Sequence, residues 1–373
     1  MRTIGVGVIG ASPLRPGWAV LAHLPAIAAL PGYALRAVAT SSEDSANAAA
    51  QAYGVPSFSD PEALNARADV DLVVVTVKLP GHRELVARAL AAGKMVMCEW
   101  PLGTSLVETQ TLERQARDAG LNTLIGLQGR MAPSIRRARD LVAQGHVGEV
   151  LATTMVGSGI GWGPVTDRAH AYLYDAANGA TTLSVAVMHA LDALTFVLGD
   201  LADVRAVAEV RQPTVTLSDT GGAVPVSAPD HIALAGRLAG GAVVSVFYRG
   251  GTSRGDNFRW EINGSKGDLV LTSPVGNLQV IDPLLSGGLG SDHGVQPLTL
   301  PPGVDLAPQA PEGPAANVAR LYAAFAQDVA ADAPGRLAPD FAHAARLHGW
   351  LQAIETAARS GQAQSFPAAA VQP

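Results

Sequence analysis

The opening of the chain constrains the fold most. An apolar run from Thr3 ends at Gly10, a turn rich in glycine and proline continues to Gly17, and residues 18–30 have the composition of a helix. A strand, a tight glycine turn and a helix form the first unit of a dinucleotide-binding fold, in which the turn and the helix N-terminus receive the pyrophosphate. The glycine motif is degenerate, because Ser12 replaces the middle glycine and the longer loop makes Gly17 the last one. The alternative is an ordinary buried first strand followed by a glycine turn.

Strands and helices alternate through the first third of the chain. The run 70–77 is almost continuously apolar and β-branched, which is typical of a strand covered on both faces of a parallel sheet. Further strands are predicted at 33–40, 95–98 and 122–127, and helices at 43–53, 82–92 and 105–119. Short turns connect these elements, so the sequence predicts a doubly wound (Rossmann) α/β domain at residues 1–128.

The remaining chain has a different pattern. Alternating segments predict antiparallel strands at 204–211, 231–238, 242–248, 258–262 and 268–272. Helices are predicted at 134–147, at 180–198, along the apolar stripe 318–329 and at 341–358. A chain of 373 residues is long for one core, so we expect a second, α+β domain at residues 129–373 that ends in helices.

Net charge and amino-acid composition argue against several classes of binding partner. The net charge of −6, without a cluster of lysine or arginine, argues against a nucleic-acid-binding face. The single cysteine, Cys98, fits a reducing compartment, so we expect a cytoplasmic location. Residues 176–191 are uncharged but too short for a membrane span, and the apolar run after Arg2 continues into the fold pattern instead of resembling a signal peptide. We expect no membrane partner, and we assign no metal ligands.

The end of the second predicted strand bears on the choice of dinucleotide. Folds that bind NAD commonly place an acidic residue there, on the ribose hydroxyls. This chain has Thr40, Ser41 and Ser42 instead, which leaves room for a 2′-phosphate, although no basic residue follows closely. The cofactor is therefore expected to be NADP or NAD, with a mild preference for NADP. The alternative is a plain turn in which Ser42 caps the next helix.

Several motifs follow one another in an order that is informative as a set. They are the opening glycine turn, Val70–Thr76 with His82, Ala92-Gly93-Lys94 leading to Glu99-Trp100-Pro101, Gln128-Gly129-Arg130 followed by Pro133, the segment 145–149, and His189 with Asp192. In this order they resemble the glucose–fructose oxidoreductase/inositol dehydrogenase/rhizopine-catabolism (Gfo/Idh/MocA) family over nearly the whole chain. Segments 99–101, 127–130, 172–179 and 229–231 resemble most the branch that includes the yeast galactose-pathway repressor, a cofactor-binding regulator.

The resemblance carries implications for architecture and cofactor. It implies one large, mostly antiparallel sheet in the second domain, with an open face that forms the contact of a dimer or tetramer. It also implies a carbohydrate-like substrate and a set of residues around NADP or NAD. The expected cofactor-binding residues are Gly10, Ser12, Gly17, Trp18, Thr40, Ser41, Thr76, His82, Glu99, Trp100, Pro101 and Gln128.

A buried helix carries the expected catalytic histidine. Residues 180–198 are apolar almost all round, and His189 and Asp192, three positions apart, face the same way. The resemblance implies that the histidine is the general base or acid for the reacting hydroxyl, which suits its near-neutral pKa. The aspartate that the family carries four residues earlier is Val185 here. The alternative is a core histidine with one polar partner.

Trp100 stands where enzymes of the family usually carry a lysine that orients the reacting oxygen. An indole supplies no charge, but it can stack on a sugar or a nicotinamide and donate one hydrogen bond. The alternative is a packing residue. Lys78, which follows a strand end, is a further catalytic candidate that would take over part of the missing role, or else a surface lysine.

Four residues are substrate candidates. Arg130 could hold a hydroxyl or a carboxylate, or pair with Glu149. Trp162 lies in the glycine-rich segment 157–164, which is either a loop over a pocket or irregular structure. Tyr172 and Tyr174 either line the pocket or anchor a loop.

Two functions from different classes remain open. The first is an NAD(P)-dependent oxidoreductase that acts on a CH–OH group of a sugar, polyol or sugar derivative. The second is a catalytically silent, nucleotide-binding regulator. Trp100 and Val185 favour the regulator, whereas His189 and Asp192 favour the enzyme. Of the two functions, we expect the enzyme.

Overall fold

The computed structural model describes residues 3–366. The chain divides into two compact units. The first consists of residues up to Gln128 together with Asp305–His348, and the second of Gly129–Val304 together with residues from Gly349 onward. The break at Gln128 coincides with the expected domain boundary. Asp305–His348, which the sequence grouped with the second domain, pack with the first unit instead.

The strands and helices are as follows. The strands are β1 (Ile4–Ile9), β2 (Tyr33–Ala39), β3 (Ser57–Phe58), β4 (Leu72–Val75), β5 (Met95–Glu99), β6 (Thr123–Gly126), β7 (Val150–Gly159), β8 (Val165–Thr166), β9 (Leu201–Glu209), β10 (Thr214–Leu217), β11 (Ala223–Pro225), β12 (His231–Leu238), β13 (Val243–Gly250), β14 (Phe258–Gly264), β15 (Gly267–Ser273), β16 (Leu284–Leu289), β17 (Gln296–Pro297) and β18 (Gln364–Ser365). The α-helices are α1 (Leu24–Ala29), α2 (Glu43–Tyr53), α3 (Pro61–Asn65), α4 (His82–Ala91), α5 (Leu106–Asp118), α6 (Pro133–Ala143), α7 (Met188–Leu198), α8 (Pro314–Ala331) and α9 (Phe341–Ser360).

The first unit is built on a six-stranded parallel sheet in the order β3-β2-β1-β4-β5-β6. This is the Rossmann strand order, in which the direction of strand addition reverses between β1 and β4. Strands β1 and β4 are buried along their whole length, as their continuous apolar runs predict. Both the alternation of strands and helices and the resulting doubly wound fold are thus confirmed.

The second unit is built on a nine-stranded sheet in the order β17-β16-β15-β14-β7-β13-β12-β9-β18. Its neighbouring strands are antiparallel except for the parallel pair β7 and β13. The expected large, mostly antiparallel sheet is confirmed. A small three-stranded sheet, β11-β10-β8, was not expected.

Two helices begin with a π-helical segment. Ala19–His23 precedes α1, and Thr182–Val187 precedes α7. The sequence predicts each pair as one continuous helix, because an apolar pattern does not distinguish a wider turn from a regular one. Within residues 3–366, no helix combines the length and the apolar character needed to cross a bilayer.

Candidate cofactor and catalytic site

The expected cofactor-binding residues lie at one edge of the first sheet. Parallel strands present their carboxyl ends at the same edge, and ligands of such sheets bind there, next to the point where the strand order reverses. Each group of residues directly follows a strand: Gly10–Ser12 after β1, Thr40 and Ser41 after β2, Thr76 and Lys78 after β4, Trp100 and Pro101 after β5, and Gln128 shortly after β6. Glu99 is the last residue of β5.

Gly10 is required by the geometry of the turn after β1. Its φ is +108°, and a Cβ at this position would lie 2.9 Å from the carbonyl oxygen of Thr76. The hydroxyl of Thr76 in turn donates to the carbonyl of Ile9 at 2.8 Å. Gly10 therefore lets the ends of β1 and β4 approach closely, where a side chain would force them apart.

Gly17 is different, because a Cβ there would meet no atom of residues 3–366 within 4 Å. The backbone N–H groups of Val20 and Leu21 both bond to its carbonyl at 3.0 Å, so it starts the helical segment. The indole N–H of Trp18, which follows, is buried and has no hydrogen-bond partner among the described residues. Nothing in the protein's own packing demands a glycine at position 17.

The end of β2 carries hydroxyl groups and no carboxylate. Ser42 caps α2 by accepting from the backbone N–H of Ser45, as the alternative interpretation of this turn predicts. Ser45 donates its own hydroxyl to that of Ser12 at 2.8 Å, which links the turn after β1 to α2. Thr40 is buried, whereas Ser41 is exposed. The edge is open to a 2′-phosphate at Ser41, although Glu43 in the first turn of α2 adds negative charge.

Trp100 is only 4% exposed, and its ring packs against that of His348 with centroids 4.7 Å apart. Burial lowers the pKa of His348 from 6.5 to about 4, against a smaller opposing effect of Glu108. The His348 Nε2 is buried without a hydrogen-bond partner among the described residues. Sequence analysis missed His348. The contact favours the packing interpretation of Trp100 within this unit.

His82 joins two of the loops at this edge. Its Nδ1 lies 2.9 Å from the carbonyl oxygen of Pro101, and its Nε2 lies 3.0 Å from that of Val77. Burial lowers its pKa, although the two carbonyl contacts oppose this. A neutral imidazole donates from one nitrogen only, so His82 bonds to one of these two carbonyls while its other nitrogen faces the second. This placement favours a role in positioning the loops that carry Lys78 and Trp100 over direct contact with a ligand.

Gln128 supplies the clearest unmet hydrogen-bonding capacity. Its side chain is buried, and neither its Nε2 nor its Oε1 has a partner among the described residues. Buried amides are normally hydrogen-bonded, so such a group calls for an explanation. Lys78, by contrast, is exposed.

These residues fit a dinucleotide. The turn after β1 brings the backbone close to the sheet edge, Gly17 leaves open space at the start of a helical segment, and Trp18 and Gln128 offer unsatisfied polar atoms. Hydroxyls at the end of β2 can donate to ribose or phosphate oxygens. We therefore regard this edge as able to hold NAD or NADP.

The second unit presents the expected catalytic histidine. Thr181 and Ser184 form a reciprocal capping box at the start of the π-helical segment Thr182–Val187, which leads into α7. His189 is the second residue of α7 and is 3% exposed. Val185 lies within the π-helical segment.

Asp192 forms a buried two-point ion pair with Arg130. Arg130 Nε donates to Asp192 Oδ2 at 2.8 Å, and its Nη2 donates to Asp192 Oδ1. The guanidinium of Arg130 also lies over the ring of Phe196, 4.9 Å from the centroid. The partner of Arg130 is thus Asp192 and not Glu149, and this pair favours a positioning role for both residues.

Of the aromatic substrate candidates, Tyr174 is hydrogen-bonded within the second unit, whereas the buried indole N–H of Trp162 has no hydrogen-bond partner among the described residues. The Tyr174 hydroxyl donates to the carbonyls of Gly163 and Gly161 at 2.8 and 3.2 Å, which anchors the glycine-rich loop. Trp162 and Tyr174 line a cavity of about 10 Å³, which holds roughly one water molecule. Burial raises the pKa of Tyr172, which is half-buried. The geometry favours the anchoring interpretation for Tyr174.

Sequence analysis also missed a buried chain of polar groups in the first unit. It joins Glu99, His23 and Tyr322 through side-chain contacts of 2.7–2.8 Å, and the hydroxyl of Tyr33 donates to the backbone carbonyl of Tyr322 beside it. The available signals were a lone histidine on an apolar helix and two tyrosines in apolar segments. Residues so far apart along the chain show no spacing that would reveal their contact.

Comparison with known proteins agrees with this architecture. Residues 4–127 match the model of the oxidoreductase family with an NAD-binding Rossmann fold (GFO_IDH_MocA), and residues 133–273 match that of the Gal80p C-terminal domain. A dehydrogenase of Aspergillus oryzae, aclE, is 33% identical over 277 residues, which cover 70% of this chain and 74% of the relative. The chain belongs to the Gfo/Idh/MocA oxidoreductase family.

Other relatives come from both functional classes. The galactose/lactose metabolism regulatory protein GAL80 of Saccharomyces cerevisiae is 28% identical over 81% of this chain and 75% of its own length. A crystal structure of a super-repressor mutant of Gal80p from this yeast has a TM-score of 0.87 at 23% identity and covers 98% of this chain and 99% of that one. A levoglucosan dehydrogenase in complex with NADH and levoglucosan has a TM-score of 0.83 at 21% identity, over 98% and 100%.

Proposed function

We propose that this chain is an NAD(P)-dependent oxidoreductase that acts on a CH–OH group of a sugar, polyol or sugar derivative. The observation that carries the proposal is the assembly of the glycine turn, the strand-end hydroxyls and the unsatisfied amide of Gln128 at the carboxyl edge of a Rossmann sheet. Family membership and the dehydrogenase relative aclE support it. The structurally similar levoglucosan dehydrogenase supports a carbohydrate-like substrate.

The cofactor edge has a defined task in this proposal. A bound nicotinamide dinucleotide supplies the hydride acceptor or donor. Gly17 and the helical segment after it receive the pyrophosphate through backbone N–H groups. The side-chain amide of Gln128 forms hydrogen bonds with the nicotinamide half of the dinucleotide, because Gln128 follows β6 on one side of the point where the strand order reverses. Ser12, Thr40 and Ser41 face the adenosine half, because they follow β1 and β2 on the other side of that point.

His189 is the group that we propose to move the proton. When a hydroxyl is oxidised, its imidazole takes the hydroxyl proton; in the reverse direction it returns that proton to the carbonyl oxygen. A positioned base of this kind contributes about 10²–10⁴-fold to the rate. The ion pair between Asp192 and Arg130 anchors α7 one turn beyond His189, and its task in this proposal is to hold the helix that carries the imidazole.

Trp100 lowers the expected rate. It supplies no ammonium at the position where the family usually has a lysine, and loss of one preorganised donor costs about 10²–10³-fold in the chemical step. Lys78 is a candidate for part of that role, since it is exposed directly after β4. We expect slow but measurable turnover.

The test is single-turnover absorbance of the reduced nicotinamide with a panel of sugars, sugar acids and anhydrosugars. His189→Ala should abolish the absorbance change and leave dinucleotide affinity unchanged. His170→Ala is the control, because that histidine is exposed and pairs with Asp167. Absence of turnover on every substrate, with tight dinucleotide binding, would refute the enzymatic proposal.

A nucleotide-binding regulator is the second candidate. The packing of Trp100 on His348 and the valine at position 185 favour it, since both remove charged groups from positions where the family's enzymes act. The match of residues 133–273 to the Gal80p C-terminal domain favours it as well. The same experiment separates the two candidates, because a regulator would bind the dinucleotide without turning over.

We further propose that the open face of the nine-stranded sheet forms a homo-oligomer. Cross-strand neighbours Val207, Ala233, Phe247 and Val156 form an apolar row across β9, β12, β13 and β7, and Val207 is 55% exposed. Val207→Glu should shift the protein towards the monomer in light scattering. Val107→Glu, on the exposed side of α5, is the control. A wild-type monomer would contradict the proposal.

A further inference from the structure

A chain of side chains runs from the core of the first unit to the end of β5. The hydroxyl of Tyr322 on α8 lies 2.7 Å from Nδ1 of His23, and Nε2 of His23 lies 2.8 Å from Oε1 of Glu99. The hydroxyl of Tyr33 donates to the backbone carbonyl of Tyr322 at 2.7 Å and so lies beside this chain without being part of it. His23 ends the π-helical segment that follows the glycine turn. The chain thus connects α8, the π-helical segment Ala19–His23 and β5.

The direction of the hydrogen bonds follows from the chemistry of the partners. The hydroxyl of Tyr322 is fully buried, and burial raises its pKa well above the usual value, so it keeps its proton. It can therefore donate to Nδ1 of His23. A neutral imidazole that accepts at Nδ1 carries its proton on Nε2, which then donates to Glu99. Tyr322 selects the tautomer that holds the carboxylate.

The carboxylate of Glu99 lies directly against the backbone of Gly126. Gly126 pairs with Glu99 across β5 and β6. A Cβ at Gly126 would lie 2.7 Å from Cδ and from both carboxylate oxygens of Glu99. Any side chain at position 126 would displace the carboxylate. Its position is thus fixed from one side by His23 and from below by a glycine.

The carboxylate of Glu99 is fixed in position but remains partly accessible to solvent. His23 has a fully buried side chain, whereas that of Glu99 retains 16% exposure. Its Oε1 faces His23, and its Oε2 makes no hydrogen bond to a described residue. Glu99 is the last residue of β5, and β5 and β2 lie on opposite sides of the point where the strand order reverses. In Rossmann folds the half of the sheet that contains β5 receives the second nucleotide of the dinucleotide.

We propose that Tyr322 and His23 are positioning residues that hold Glu99 Oε1 so that Oε2 accepts a hydrogen bond from the nicotinamide-ribose half of the dinucleotide. This inference rests on the proposed function. A ribose hydroxyl or the carboxamide N–H₂ is the donor chemistry that a carboxylate at this place accepts. Tyr322 on α8, although 299 residues from His23 in sequence, therefore contributes to cofactor geometry.

The first test compares Tyr322→Phe with Tyr33→Phe. Each variant removes one buried hydroxyl and one hydrogen bond of 2.7 Å, but only Tyr322→Phe interrupts the chain to Glu99. We expect Tyr322→Phe to weaken NADH or NADPH binding about tenfold, the order expected when a charge-assisted hydrogen bond is misplaced. ADP, which lacks the nicotinamide ribose, should bind both variants like the wild type. Equal melting temperatures of the two unliganded variants would show that stability does not explain the difference.

The second test uses conservative replacements of His23. Glutamine places an amide N–H₂ near the position of Nε2, whereas asparagine places it near Nδ1. His23→Gln should therefore retain NADH or NADPH affinity, and His23→Asn should lose it to the same extent as Tyr322→Phe. If His23 had a purely structural role, His23→Gln and His23→Asn would change NADH or NADPH affinity to the same extent.

The outcomes separate the two levels of the argument. If the wild type binds neither NADH nor NADPH, the proposed function is overturned and this inference with it. If the wild type binds but Tyr322→Phe and Tyr33→Phe bind equally well, only the positioning role is overturned. If ADP binding falls together with NADH binding, the chain supports the whole edge and the assignment to the nicotinamide half is wrong.

Discussion

Arg130 Nε lies 2.8 Å from Oδ2 of Asp192, and the second guanidinium nitrogen bonds to the other carboxylate oxygen. The two side chains retain 10% and 1% exposure. The sequence suggested Asp192 as a catalytic partner of His189 and Arg130 as a substrate residue. A buried two-point pair ties the turn at Arg130 to α7, the helix that carries His189, and this favours a positioning role for both residues.

Removal of one partner of this pair should be costly. Arg130→Met or Asp192→Asn leaves an uncompensated buried group, so each should reduce the free energy of unfolding by about 3–5 kcal/mol. The double variant Arg130→Met/Asp192→Leu should recover most of that loss, because both charges are gone. Arg237→Met is the control: Arg237 is 68% exposed beside Asp203, and its loss should cost about 0–1 kcal/mol. Chemical denaturation measures all four, and additive losses in the double variant would contradict the pairing.

The two glycines of the opening turn should respond differently to alanine. Gly10→Ala forces a side chain to φ +108° and against Thr76, so we expect a loss of about 1–3 kcal/mol in stability. The methyl group of Gly17→Ala meets no atom in the described part of the chain, so the melting temperature should stay unchanged.

Dinucleotide affinity, measured by quenching of tryptophan fluorescence, completes this comparison. If the pyrophosphate approaches Gly17, a methyl group there should weaken NAD(P)H binding by about tenfold, or roughly 1.4 kcal/mol. Unchanged affinity of Gly17→Ala would place the phosphates elsewhere.

His348 should make the first unit sensitive to mild acid. Its pKa of about 4 in the fold lies below 6.5, so its contribution to stability is present above about pH 6.5 and is lost as the pH falls towards 4. Between pH 7 and pH 5 this amounts to about 2 kcal/mol. His348→Phe keeps a ring against Trp100 and removes the titration. Denaturation of both proteins at the two pH values isolates the effect, since His82, whose pKa burial also lowers, titrates in both. Identical pH dependence would refute the assignment.

The hydroxyls at the end of β2 predict that NADP is not strongly rejected. Ser41→Asp places a carboxylate where the 2′-phosphate would lie, so NADPH binding should fall by about 10–100-fold while NADH binding holds. Ser41→Asn, of the same shape but uncharged, is the control. A wild type that already favours NADH several-hundredfold would show that Glu43, in the first turn of α2, repels the phosphate.

Trp100→Lys should raise the single-turnover rate, by up to about 10²–10³-fold if the ammonium reaches the reacting oxygen. Trp100→Met removes the indole without adding charge and shows what loss of the contact with His348 does by itself. Equal rates in the two variants would indicate that the position no longer serves catalysis.

The sequence predicted those features that depend on local periodicity or on strand ends. The β-branched run at Leu72–Val75 and the alternation in His231–Leu238 each indicated the correct strand and the correct type of sheet. The candidate residues after β1, β2, β4, β5 and β6 share an edge because parallel strands end on the same side, which requires no knowledge of packing.

Features that depend on tertiary packing could not be predicted from the sequence. Strand β3 has two residues and β8 two, too few for a period to show. The apolar stripe of α8 was visible, but nothing in it indicated that Tyr322 would meet His23 in the first unit. Glu149 was the alternative partner considered for Arg130, and the sequence offered no basis for choosing Asp192, because only the fold brings Arg130 and Asp192 together.

The two outermost strands of the nine-stranded sheet, β17 and β18, have two residues each, and β17 ends in Pro297. Short edge strands offer few unpaired N–H and C=O groups, and proline has no N–H to donate. Extension of the sheet by a strand from another molecule is therefore disfavoured at both edges, even though its interior strands reach ten residues. A wide β-structure built in this way resists edge-to-edge association of folded molecules, so any homo-oligomer should form through the face of the sheet and not through its edges.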